Sequence, residues 1–162
     1  MKQALILYHS RNDKTKKYAE RIGYYFNSLN IEANVLPIEK YRKDLLTSAN
    51  YVMLGCWTKG LFLLNQKPDK VWIDFVKSLP LKRNQAIGLF TTYNIREGSM
   101  FNNMRRHLIN VSNVYGLEIK SRNGRLSEEN KGMILNFLNQ SHQIIFTEVP
   151  EKNLKMYLVN PV

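Results

Sequence analysis

The segment between an early apolar run and the first helical pattern, residues 10–15, has residue types that suit the binding of an anion. The segment 10–15 offers hydroxyl groups, an amide and two cationic side chains directly before a helix begins. A helix N-terminus presents unpaired backbone N–H groups and the positive end of the helix dipole, so phosphate groups bind there readily. The segment has no glycine, and Asp13 places a negative charge in its middle. We predict a degenerate but anion-competent loop with the ligand residues Ser10, Arg11, Asn12, Asp13, Lys14 and Thr15.

Two later loops each combine an aromatic side chain with small polar residues. One reads Gly-Cys-Trp-Thr-Lys-Gly at 55–60, and the other reads Thr-Thr-Tyr-Asn at 91–94. A large ring beside hydroxyl groups can form a wall for a flat ligand, and a stacked ring pair contributes roughly 0.5–1.5 kcal/mol beyond its burial. The alternative is that Trp57 and Tyr93 only cover the end of the fold. The candidate binding residues are Trp57, Thr58, Lys59, Gly60, Thr91, Thr92, Tyr93 and Asn94.

Strand-like and helical patterns alternate along the chain and would position these loops. Strands are predicted at 3–9, 31–37, 50–56, 84–91 and 114–121. Helices are predicted at 14–29, 69–79, 98–112 and 127–141, with a weaker pattern at 39–48. Near-continuous apolar strands are typical of a parallel sheet that is covered on both faces. The alternation therefore predicts an α/β fold, a three-layer α/β/α sandwich around a five-stranded parallel sheet.

The number of strands also predicts where a ligand would bind. Five strands in a chain of this length favour the order 2-1-3-4-5. In such sheets ligands bind beyond the carboxyl ends of the strands, where the strand order reverses, here between strands 1 and 3. The loops at 9–15, 57–68 and 91–98 follow strands 1, 3 and 4, so this order brings them together. We expect a single domain over 1–162, with a core at about 1–141 and a tail at about 147–162.

The loops, taken together, resemble those of the flavodoxin family over about residues 1–141. That family has a phosphate loop of the form S/T-x-T-G-x-T after strand 1, and segment 10–15 keeps the hydroxyl groups at both ends. After strand 3 the family often shows G-S-x-T-x-G, to which segment 55–60 is similar. The resemblance implies noncovalent FMN, with its phosphate on 10–15 and its ring between 57–62 and 91–94. It also implies an electron-transfer protein or the flavin component of a small reductase.

The formal net charge of +11 is unusual for such a protein and bears on its partners. Residues 1–125 carry +12 and the remainder −1, so the excess is spread over several segments rather than confined to a tail. Electron-carrying flavodoxins are commonly acidic, so this chain is expected to prefer an acidic redox partner. Lys59 and Arg96 could raise the potential of a bound flavin. A second hypothesis is a flavodoxin-fold binding or regulatory module that has lost FMN and uses its basic surface to bind an acidic partner.

Other functions are disfavoured by what the sequence lacks. The single cysteine, Cys56, ends a buried strand and is predicted to be an inert core thiol. His9 follows strand 1 without an evident partner, and the three scattered histidines have no metal-binding spacing. A phospho-accepting receiver domain needs an acidic cluster that is absent here, and no nucleic-acid module is recognised. No signal peptide or bilayer-length apolar run is evident, so a cytoplasmic protein is expected.

Overall fold

Five parallel strands form one sheet in the order β2-β1-β3-β4-β5, which confirms the predicted strand order. The computed structural model describes residues 1–59, 66–82, 84–95, 98–108 and 115–147. The strands are β1 (Gln3–His9), β2 (Glu32–Pro37), β3 (Tyr51–Trp57), β4 (Ala86–Thr92) and β5 (Tyr115–Ser121). The helices are α1 (Lys14–Ser28), α2 (Lys43–Ser48), α3 (Lys70–Ser78), α4 (Met100–Arg106) and α5 (Glu128–Thr147), with a 3₁₀ turn at Ile38–Lys40.

The two faces of the sheet are covered by different helices, which gives the predicted three layers. Successive side chains of a strand point to opposite faces. In β3, Tyr51 and Met53 pack on one side, whereas Val52 and Leu54 pack on the other. The first side is covered by α1 and α5, through residues that include Tyr18, Ile22, Phe26, Ile134 and Phe137. The second side is covered by α2, α3 and α4, through residues that include Leu46, Trp72, Val76, Met100 and Met104.

A buried stripe of α1 anchors the first loop to the sheet. Thr15, Ala19, Ile22 and Phe26 are fully buried at helical spacing, so this face of α1 packs on the sheet. Phe26 and Phe137 each contact the ring of Tyr51 on β3, at centroid distances of 6.2 and 6.0 Å. Such ring contacts add to the stabilisation that comes from burial. The start of α1 is therefore held at a fixed place on the carboxyl edge of the sheet.

Three helix boundaries differ from the sequence prediction. The helix α5 continues to Thr147, beyond the predicted end at 141, because the following residues contain no helix breaker. The helix α4 ends at Arg106, and His107 and Leu108 form a turn. The weak pattern at 39–48 is divided, because Arg42 is extended with φ −129° between the 3₁₀ turn and α2. The predicted tail at 147–162 lies outside the described residues, apart from Thr147.

No helix in the described part of the chain is both long and apolar enough to cross a membrane.

Candidate functional site

A cleft opens at the carboxyl ends of β1, β3 and β4, where the three polar loops meet. Its volume is about 220 Å³. The side chains that line it come from all three loops and are Arg11, Asn12, Lys14, Trp57, Thr58, Thr92, Tyr93 and Asn94. All eight are among the fourteen residues that the sequence analysis selected, and the cleft lies where the strand order reverses.

One residue of the first loop has a backbone conformation that is usually found in glycine. Asp13 lies in the left-handed region, with φ 57° and ψ −7°. Aspartate tolerates this region better than most residues, so the turn forms without glycine. A side chain caps a helix from an extended backbone, and the Asp13 carboxylate accordingly makes no capping hydrogen bond to α1. The carboxylate is exposed and is not among the groups that line the cleft.

The end of β4 ties the other two loops together through hydroxyl groups. The Oγ1 atoms of Thr92 and Thr15 are 2.7 Å apart, in a buried contact that joins β4 to the first turn of α1. Thr91 donates from Oγ1 to the carbonyl oxygen of Cys56 at 2.7 Å and lies 3.0 Å from Oγ1 of Thr58. The two neighbouring threonines of β4 therefore hold opposite sides of the cleft at a fixed separation.

A third link crosses the mouth of the cleft. The ammonium group of Lys14 donates to Oδ1 of Asn94 at 2.9 Å, between the first and third loops. Behind it, the backbone N–H of Tyr93 donates to the carbonyl oxygen of Ser121 on β5 at 3.2 Å. The loop that carries Tyr93 is thus fixed both to α1 and to the edge strand of the sheet.

Trp57 provides an aromatic surface beside a cation. The guanidinium carbon of Arg11 lies 5.4 Å from the centroid of the Trp57 ring, within the range of a cation–π contact. The indole N–H of Trp57 is buried and has no hydrogen-bond partner in the described part of the chain. A buried donor without a partner costs free energy. The cleft itself combines positive charge with an aromatic ring.

Six of the fourteen residues selected from the sequence are not among the residues that line the cleft. Ser10 accepts a long hydrogen bond, 3.4 Å, from the backbone of Lys16, and Thr15 is buried against Thr92. Lys59 faces Asp69, with 3.6 Å between its Nζ and Oδ2. The positions that do not line the cleft are Ser10, Asp13, Thr15, Lys59 and Thr91, and Gly60 lies outside the described residues. Arg96, also considered near a ligand, lies outside them as well.

Sequence reasoning missed the partners of His9. The imidazole Nδ1 lies 3.2 Å from Oε1 of Glu39, and Nε2 lies 3.7 Å from Oδ1 of Asp69. Asp69 also caps α3 by accepting from the backbone N–H of Val71 at 3.0 Å. These groups meet because β1, β2 and α3 all reach the same edge of the sheet, a convergence that spacing in the sequence does not reveal. None of the three lines the cleft.

The thiol of Cys56 is a buried core group, as predicted. It is fully buried on the α2–α4 side, and burial raises its pKa to about 12 from an ordinary value of 9.0. We expect the native thiol to react with Ellman's reagent at pH 8 at least about a hundredfold more slowly than the urea-unfolded chain, because thiolate is scarce. The raised pKa favours the folded state below about pH 9, and this contribution to stability is lost as the pH rises toward 12. Rapid reaction of the native thiol would contradict the burial.

Comparison with known proteins decides the fold. No family model matches the chain, and no curated protein sequence matches it. Among solved structures, the flavodoxin of Megasphaera elsdenii is 20% identical, with a TM-score of 0.67 over 80% of this chain and 94% of that one. Flavodoxin 1 of Bacillus cereus is 17% identical, with a TM-score of 0.62 over 87% of this chain and 97% of that one. The chain has the flavodoxin fold.

The flavodoxin fold also occurs within larger solved proteins that resemble this chain. Rubredoxin oxygen:oxidoreductase of Desulfovibrio gigas is 14% identical, with a TM-score of 0.64. The match covers 90% of this chain but 36% of that protein. The two flavodoxins, by contrast, are matched over almost their whole length. The match therefore spans nearly all of each flavodoxin but about a third of the larger protein.

Proposed function

We propose that this chain binds FMN noncovalently in the cleft and acts as an electron-transfer protein. The observation that carries the proposal is that a cationic loop and the aromatic side chains of Trp57 and Tyr93 line one cleft. Asp13 gives this loop the left-handed backbone conformation that glycine usually provides. The cleft lies at the point of strand-order reversal, where ligands of this fold class bind. The likeness in fold to solved flavodoxins supports the same conclusion.

The residues of the cleft fit the two chemically different ends of FMN. Arg11 and Lys14 offer positive charge to a phosphate at the start of α1, and Asn12 offers an amide beside them. Trp57 and Tyr93 offer aromatic rings to the isoalloxazine. The residues present therefore suit an anionic ligand with a flat aromatic ring.

The role of the chain would be to hold and tune the cofactor. Bound FMN supplies redox chemistry by accepting and passing on one or two electrons. Positive charge beside the ring, such as the Arg11 guanidinium 5.4 Å from the Trp57 ring centroid, would favour the more negative reduced form and so raise the reduction potential relative to an acidic carrier. Lys59 contributes less to this effect, because the carboxylate of Asp69 lies 3.6 Å from its ammonium group.

The net charge of the chain bears on the partner of such a carrier. The basic surface of the chain, with a net charge of +11, favours an acidic redox partner by electrostatic steering.

The decisive experiment is an absorption spectrum of the purified protein, followed by titration with FMN and with riboflavin. We expect flavin bands or strong quenching of FMN fluorescence. Riboflavin should bind at least about tenfold more weakly, because it lacks the phosphate that charged hydrogen bonds would hold. Equal affinity for FMN and riboflavin would show that the loop does not bind the phosphate. An absence of bands and of quenching would refute FMN binding and favour the module that has lost its cofactor.

Replacing Asp13 tests whether the aspartate weakens the anion site. The variant Asp13→Gly keeps the left-handed backbone and removes a negative charge next to the cationic loop. We expect FMN to bind about two- to tenfold more tightly, and the gain should shrink at high ionic strength. The control Asp13→Asn removes the charge but keeps a side chain, and a similar gain is expected. Unchanged affinity in both variants would show that the carboxylate does not act on the phosphate.

A further inference from the structure

A second concave surface lies on the α1–α5 side of the fold, away from the cleft. Its volume is about 470 Å³. We call it the α1–α5 groove, and its lining residues are Arg21, Tyr24, Tyr25, Arg125, Leu126 and Lys131. We propose that the groove binds an acidic segment of a partner protein that carries one aromatic or aliphatic anchor residue. The proposal does not depend on FMN binding.

The apolar part of the groove is well placed to receive an anchor side chain. Tyr25 and Leu126 pack against the core beneath the groove, so their positions are fixed from below. Tyr24 is 76% exposed, which is unusual for so large an aromatic side chain. Tyrosine and arginine are enriched among the residues that carry the binding energy of interfaces, and both line this groove.

The charges around the groove decide the chemistry of the occupant. In the described part of the chain, no carboxylate lies within ion-pair distance of Arg21 or Arg125. Lys131 shares its charge with Glu128, 2.7 Å away, and lies 5.8 Å from the centroid of the Tyr25 ring. Two arginines without carboxylate partners beside exposed aromatic surface therefore favour carboxylates around an apolar side chain.

The backbone beneath the groove is held rigidly. Arg21 donates from its guanidinium to the carbonyl oxygen of Gly124, which ties α1 to the loop after β5. Gly124 has φ 75°, and a Cβ atom there would lie 2.8 Å from the carbonyl oxygen of Lys14. The loop is also closed by Asn123, which accepts from the backbone N–H of Arg125 at 3.0 Å. Because these links preform the groove, little ordering is needed when a partner binds.

The arrangement fits a peptide better than a nucleic acid strand. Single-stranded nucleic acids bind along a positively charged groove that follows successive phosphates, with bases stacked on several rings. Among the described residues, the groove is lined by three cations, two tyrosines and one leucine. A single anchor residue flanked by carboxylates matches this small set of side chains.

The test is binding of a defined peptide to the full chain. The probe is a fluorescein-labelled peptide of alternating aspartate and glutamate with one central tryptophan, followed by fluorescence anisotropy and by amide chemical shifts. We expect shifts on α1 and in the loop after β5, and affinity that falls severalfold between about 50 and about 300 mM salt. The same peptide with glycine at its centre should bind at least about fivefold more weakly. Equal binding of the two peptides, or shifts elsewhere on the chain, would overturn the proposal.

Matched variants distinguish binding at the groove from nonspecific attraction of the peptide by the net positive charge of the chain. Arg125→Glu should lower the affinity for the peptide at least about tenfold, and Tyr24→Ser should lower it about fivefold. Lys43→Glu makes the same charge change on α2, on the opposite face of the sheet, and should weaken binding less than about twofold. Arg125 and Tyr24 have exposed side chains, so the variants should fold, which their amide spectra would verify. Equal loss in Lys43→Glu would overturn the proposal, as would tighter binding of an oligothymidylate of matched charge.

Discussion

Replacement of Trp57 by alanine is expected to weaken FMN binding by about ten- to hundredfold. A stacked ring contributes roughly 0.5–1.5 kcal/mol beyond its burial, and truncation of a buried tryptophan at a binding site often costs about 2 kcal/mol or more. Each 1.4 kcal/mol corresponds to about a tenfold change in affinity. The measurement is a titration of the apoprotein with FMN, followed by quenching of the flavin fluorescence.

Two control variants give this experiment its meaning. Trp57→Phe keeps a ring in the cleft and should stay within about fivefold of the wild type. Tyr24→Ala removes an exposed aromatic residue that does not line the cleft and should leave FMN affinity unchanged. Wild-type affinity in Trp57→Ala, with normal circular dichroism, would mean that the flavin ring does not rest on this residue.

Replacement of Gly55 by alanine is expected to destabilise the fold by about 1–3 kcal/mol or more, as overpacking of a core does. Gly55 pairs with Phe90 in the register of β3 and β4, and a Cβ atom at Gly55 would lie 2.0 Å from Cζ of the Phe90 ring. That ring is fully buried and is held edge-to-face by Tyr18 at 5.9 Å, so it cannot move aside freely. The melting temperature should fall by at least about 5 °C in a thermal unfolding experiment.

The chain offers a matched control for this substitution. A Cβ atom at Gly132, in α5, would meet nothing within 4 Å. Gly132→Ala should therefore raise stability by about 0.5–1 kcal/mol, since alanine favours a helix over glycine. The double variant Gly55→Ala, Phe90→Leu should recover part of the loss, because the smaller side chain makes room. Additive effects in the double variant would contradict the proposed contact.

The sequence was sufficient to predict the strand order and the place of the cleft, because both follow from general rules. Apolar runs such as Tyr51–Leu54 showed a sheet that is buried on both faces, and the order then placed three loops at one edge. The eight residues that line the cleft were all selected from their chemical types and from their position after strands. Their role in binding FMN remains a prediction.

What the sequence could not predict depends on contacts between distant segments. Gly55 looked like part of a binding motif, whereas the structure gives it a packing role against Phe90. The hydroxyl of Thr15 looked available to an anion, but its partner Thr92 is 77 positions away and buries it. The α1–α5 groove was missed because its residues lie in two segments that meet only when α1 and α5 pack side by side.

The threonine contacts at the end of β4 also bear on how the chain is made. The contact of Thr15 with Thr92, 77 positions apart, requires a long loop of chain to close before it forms. Parallel strands joined by crossovers fold slowly for this reason. A nascent chain that has left the ribosome only as far as β3 would carry the 10–15 loop and Trp57, but not the strand that holds them together. The cleft can therefore form only after β4 has been synthesised and has paired with β3.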